Sequence, residues 1–113
     1  MSQITTHILD ISRGAPAQNV PITLSYLVDN KWQVISSNNT NDDGRIANLC
    51  KPGVMQAAGT YLMHFDTSSY FKSINESIFY PWVDVVFNLA TYGQHYHVPL
   101  LLPPFGYSTY RGS

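Results

Sequence analysis

The 113-residue chain has a single cysteine, Cys50, and one thiol forms neither an intrachain disulfide nor a cysteine zinc cage. Charged residues are also few, at 12% with a formal net charge of −1, so there is no basic footprint for nucleic acid and no acidic tail. No apolar run approaches the roughly 18 residues of a membrane helix. The opening MSQITTHILD lacks a charged stretch followed by an apolar one, so neither a membrane partner nor an export signal is expected, and a cytoplasmic location is. There is no GxSxG elbow and no phosphate-cradling glycine loop. Glu76 is the only glutamate, and the six aspartates form no conspicuous pair with it or with each other, which argues against glycosidase chemistry with its two placed acids. Internal repeats, linkers and helical periodicity are almost absent.

What the chain does have is two-residue alternation over a 44% hydrophobic, 13% aromatic composition, enough for one domain over residues 1–113 with its own core. In PITLSYL, Ile22, Leu24 and Tyr26 share one face while Thr23 and Ser25 share the other. KWQVISS follows after Asp29 and Asn30, a two-residue hairpin signal. NTNDDGR carries turn chemistry, with Gly44 free to take positive φ and Arg45 emerging just after it. GTYLMHFDT and WVDVVFNL are further strands. Between them DTSSYFKSINES predicts a short helix capped by Ser68 or Ser69. Strands at this spacing predict an all-β sandwich or small barrel.

One stretch points beyond the single chain. In HYHVPLLLPPFGYSTY, Tyr96, Val98, Leu100 and Leu102 alternate with His95, His97, Pro99 and Leu101, so both strand faces are partly apolar. The outer one is read as an interface between subunits. His95-x-His97 also has the spacing of metal ligands, but zinc needs a third, which His7 or His64 would have to supply, and no carboxylate or cysteine cluster accompanies the pair. His7 falls on the face of Leu9 and Ile11, a titratable group on an otherwise apolar strip. Arg45 by itself reads as a loop charge; Arg111, in the terminal YRGS, sits in a strand-like aromatic tail.

Several of these segments together resemble the transthyretin-like family, and within it the 5-hydroxyisourate hydrolases: HILDISRGAPAQNVPITL at 7–24, DDGR at 42–45, FYPWVDVVF at 79–87, HYHVPLLL at 95–102 and the terminal GYSTYRGS. The likeness runs over nearly the whole chain. It implies a transthyretin-like β-sandwich of about eight strands with one short helix, assembled as a homotetramer with its sites in a channel between dimers. It implies hydrolytic opening of 5-hydroxyisourate, the unstable product of urate oxidation, without metal or organic cofactor. By the matching motifs, His7, Arg45, His97 and Ser113 carry the roles of the family's site residues, and the chain ends where the site ends. Tyr110, Arg111 and Gly112 are read as shaping the substrate wall, with Gly112 allowing close backbone approach. Peroxisomal or periplasmic placement, known among relatives, stays open beside the cytoplasmic one.

The residue types suit amide hydrolysis, which needs a base for water, hydrogen-bonding or positive groups where the oxyanion develops, and an acid for the leaving nitrogen. His7 and His97 divide the proton transfers, and the Arg45 fork suits a planar, carbonyl-rich ligand. Transthyretin, the carrier that shares the RGAPAQNV and YST segments, has other residues in place of His7 and His97 and lacks the YRGS ending. A carrier of apolar ligands is therefore the alternative. Pro103 departs from the serine of many relatives; it lies in the turn before the last strand, so a local effect and no loss of the site are expected from it.

Overall fold

The computed structural model describes residues 2–46, 48–51, 53–90 and 94–112, and alternating strands form most of its regular structure. The elements in chain order are β1 (Ile4–Thr5), β2 (Ile8–Asp10), β3 (Ala15–Pro16), β4 (Pro21–Val28), β5 (Lys31–Asn39), β6 (Gly59–Phe65), α1 (Thr67–Ser73), β7 (Val83–Leu89), β8 (Tyr96–His97), β9 (Leu100–Leu101) and β10 (Ser108–Thr109). β4 and β5 are joined by Asp29 and Asn30, both at positive φ (50° and 62°), the backbone a twisted two-residue hairpin requires. The β5-β4-β6-β7 sheet is antiparallel throughout.

The opposite layer is built on a long-range parallel pairing. Ile4 lies opposite Tyr96 and Ile8 opposite Leu100, so the register does not shift between β1 and β2 or between β8 and β9. A continuous ladder carries it: Tyr96, Val98, Leu100 and Leu102 donate their N–H groups to the carbonyls of Gln3, Thr5, His7 and Leu9 at 2.8–2.9 Å. Counting each of these runs as one strand leaves eight among the described residues, in the two layers of a transthyretin-like β-sandwich. β10 pairs antiparallel with β9 and completes that layer at its edge.

Ile4, Ile8, Tyr96, Val98, Leu100 and Leu102 from this layer meet Ile22, Leu24, Tyr61, Met63, Phe65 and Val83 from the other, all buried. The helix seals one end with Tyr70 and Phe71. Its cap is Asp66, whose carboxylate accepts from Ser69 N–H at 3.2 Å; the serines expected as caps instead donate their hydroxyls to that carboxylate. Asp is as good a cap as Ser, and its two oxygens take three donors here. Tyr70 also donates its hydroxyl to the fully buried Asp10 at 2.7 Å, pinning the helix to β2. Among the described residues, no helix is long and apolar enough to cross a membrane.

Candidate active site

Because Ile4, Thr6, Ile8 and Asp10 point inward, Thr5, His7 and Leu9 point outward, and on the adjacent run His97 and Leu101 do the same. Thr5 is the register partner of His97, which places His7 one outward position further along, diagonal to that ring. Four chain segments therefore contribute to one strip on this face, from Arg45 through His7 and His97 to Gly112.

Arg45 reaches the strip through the 41–45 turn, where it forms a β-bridge with His7. Asn41 ties that turn twice over: its side-chain oxygen accepts from Asp43 N–H at 2.9 Å and Arg45 N–H at 3.0 Å, and its backbone N–H donates to the Arg45 carbonyl at 2.8 Å. Gly44 has φ 73°, and a Cβ there would lie 2.5 Å from the Ile8 carbonyl oxygen, so the turn can press against β2 only with glycine at this position. On the far side, Gly112 bridges His97 and donates its N–H to the His97 carbonyl at 2.8 Å. A Cβ at Gly112 would sit 2.6 Å from His97 Cδ2, so the ring occupies the space that the glycine leaves.

Both rings are held below the ordinary imidazole value. For His7, burial is the larger cause and the Arg45 charge the next, with Asp43 opposing them. For His97, burial again leads, followed by the charges of Arg45, His95 and His7. One guanidinium thus acts on two imidazoles, the second of which also feels the first, an arrangement able to orient a carbonyl-rich ligand, accept a proton and return one.

The remaining expected residues divide. Tyr110 follows the β10 register onto the outward face, opposite Pro99, and is exposed. Arg111 turns away: its guanidinium lies 4.6 Å above the Tyr96 ring and donates to Gln94 Oε1 at 3.1 Å. There it lines, with Tyr110 beside it, a separate hollow of about 320 Å³, walled by Val85, Phe87 and Val98, between β7 and the β10 edge. His7, Arg45 and His97 do not line that hollow, and the polarity of the strip marks the outward face as the place for chemistry. Ser113 lies outside the described residues. His64 is on the other sheet, paired with Asp84 at 2.5 Å. His95 and His97 both turn a ring nitrogen to the Thr5 hydroxyl, and among the described residues no three metal-ligating side chains cluster. Thr5 and Asn41 are invisible in the sequence: an ordinary threonine in a strand and an asparagine in a turn carry no signal until the parallel pairing and the turn are built.

Comparison with known proteins gives the same direction. A family model described as the HIUase/Transthyretin family matches residues 4–112. The chain is 44% identical over 114 residues to 5-hydroxyisourate hydrolase of Mus musculus, covering 99% of this chain and 96% of the mouse protein. Among solved structures, Klebsiella pneumoniae 5-hydroxyisourate hydrolase superposes with TM-score 0.84 at 34% identity, covering 97% of this chain and 92% of the other. Sea bream transthyretin in complex with thyroxine superposes with TM-score 0.91 at 33% identity, covering 97% and 94%. Backbone similarity alone does not separate an enzyme from a carrier, since both are grafted on one sandwich. The side chains on the outward strip have to decide.

Proposed function

The chain belongs to the HIUase/Transthyretin family, and we propose that His7, Arg45 and His97 are the groups with which it opens the ring of its substrate. It is a hydrolase that converts 5-hydroxyisourate to 2-oxo-4-hydroxy-4-carboxy-5-ureidoimidazoline, a step of urate breakdown. Water adds its oxygen to a ring amide carbonyl, the carbon–nitrogen bond breaks, and the departing nitrogen takes a proton. Two neutral imidazoles beside a fixed cation match those demands. One accepts the water proton, the other or the same ring returns a proton to nitrogen, and the Arg45 fork holds the carbonyl oxygens as charge develops on them. Ser113 is kept among the catalytic groups on the strength of the terminal YRGS motif alone. Tyr110 and Gly112 form the wall there, and Arg111 acts from behind it by holding the strand through Tyr96 and Gln94. The reaction asks for no metal or organic cofactor.

The observation that carries this reading is that Arg45 bridges His7 while His97, 90 positions further along the chain, is the register partner of Thr5, so that all three meet on one outward strip. The half-buried Leu9 and Leu101 and the exposed Ile11 continue the strip as an apolar margin, which supports a homotetramer in which this face lines a channel between subunits. The test is the ultraviolet decay of freshly generated 5-hydroxyisourate with and without the protein. Acceleration in proportion to protein concentration is expected; decay at the spontaneous rate would turn the reading toward a carrier.

A further inference from the structure

The Thr5 hydroxyl stands between two imidazoles, with Oγ1 2.8 Å from His97 Nδ1 and 3.0 Å from His95 Nε2. The rings lie nearly parallel, 16° apart with centroids separated by 6.5 Å. His95 is exposed and His97 half-buried. A threonine hydroxyl has one proton to give and lone pairs to receive, so it donates to at most one of these rings. When it donates to His95 Nε2 and accepts from His97 Nδ1–H, neutral His97 presents a bare Nε2 and can take a proton. When it donates to His97 Nδ1 and accepts from His95 Nε2–H, neutral His97 carries its proton on Nε2 and can give one.

We propose that Thr5 and His95 are positioning residues for His97, forming a relay that switches it between its accepting and its donating tautomer. The assignment rests on the reading of His97 as a proton-transfer group. In the accepting state His97 Nε2 takes a proton from water; its Nδ1 proton moves to Thr5 Oγ1 while the Thr5 hydroxyl proton moves to His95 Nε2. No proton is gained or lost, and the positive charge has passed from His97 to His95. His97 is then neutral with its proton on Nε2. Giving that proton to the leaving nitrogen, with the reverse shift from His95 through Thr5, restores the starting state.

The surroundings of His97 favour moving the charge outward. Burial opposes a cation on His97 most, followed by Arg45 of the turn, His95 on the same run and His7 of the neighbouring strand. Asp43, the carboxylate of the turn, acts on His7. From the last strand comes the Gly112 backbone. His95, at the exposed end of the hydrogen-bonded chain, is the outlet.

A threonine that only held the strand would not couple the two rings. Ring ¹⁵N spectra over a pH titration, recorded without substrate on the wild type, Thr5→Ser and Thr5→Val, read that coupling. Protonation of His95 is expected to move neutral His97 from the Nδ1–H toward the Nε2–H form in the wild type and in Thr5→Ser, and to leave it unmoved in Thr5→Val. In turnover, Thr5→Val and His95→Gln should each lower kcat by about tenfold, less than loss of a placed acid or base, with KM unchanged and the double variant no worse than the poorer single one. A His97 tautomer blind to His95 in the wild type, coupling that survives Thr5→Val, or fully additive losses would overturn the relay. Intact coupling in a wild-type protein that leaves 5-hydroxyisourate untouched would instead remove the ring-opening reading and leave the wiring standing.

Discussion

Gly112 and His97 share one space: the glycine N–H binds the His97 carbonyl at 2.8 Å, and the ring lies where a side chain at 112 would begin, 2.6 Å from Cδ2. Gly112→Ala should therefore push the imidazole off its position and lower kcat by about 10²-fold, the scale of a small misplacement of a reacting group. The melting temperature should hardly move, because the strand is an exposed edge. A C-terminal tag after Ser113 should be similarly harmful, and an N-terminal tag should not. Activity and melting curves measured together on all three proteins check this; full activity in both Gly112→Ala and the C-terminally tagged chain would show the terminus to be ordinary edge structure.

Gly44→Ala should cost stability as well as activity. Positive φ and the approach to the Ile8 carbonyl oxygen both penalise a side chain there, and together they amount to about 1–3 kcal/mol. Urea unfolding reads the loss directly, and a midpoint unchanged from wild type would mean that the turn tolerates being lifted off β2.

The lowered values of His7 and His97 set a sign for pH. Below about pH 6.5, the ordinary imidazole value, the unfolded chain binds protons that the folded rings still refuse. Stability due to these groups is therefore present above that pH and lost as pH falls toward the folded values. Arg45→Met removes the second-largest cause of both shifts, so each ring should titrate at higher pH in the variant, with burial still holding it down. Proton NMR titration of the ring signals tests this; values that stay put or fall would separate Arg45 from the two histidines.

Much of this site is legible in the sequence, for identifiable reasons. Alternation alone puts His7 outward with Leu9 and Ile11, and puts His97 outward opposite the buried Tyr96, Val98 and Leu100. The DDG turn announces a sharp bend before Arg45. What alternation cannot supply is which strands meet. The pairing of residues 3–9 with 96–102 spans almost the whole chain, and the role of Thr5 exists only through it. Asn41 is hidden for a similar reason, since a turn asparagine has many ways to bond and only the built loop selects one. Arg111 shows the reverse case. The motif groups it with its neighbours, whereas strand parity turns its side chain onto Tyr96 and away from His97.

Assembly gives a further expectation. Leu101 is half-buried on the outward face, beside its register partner Leu9, and a charge there would have to be desolvated in a subunit contact. If the proposed tetramer forms, Leu101→Lys should sediment as a smaller species than the wild type and lose activity in parallel. A wild-type chain that is fully active as a monomer would remove the interface.

The central claim, that the outward strip of His7, Arg45 and His97 performs the ring opening, is tested most directly by one set of turnover measurements on freshly generated 5-hydroxyisourate. His7→Ala and His97→Ala should each lose about 10²- to 10⁴-fold in kcat, the usual worth of a placed acid or base. His64→Ala, which removes the partner of Asp84 on the other sheet, should stay close to wild type. Comparable losses at all three histidines, or none at His7 and His97, would contradict the account.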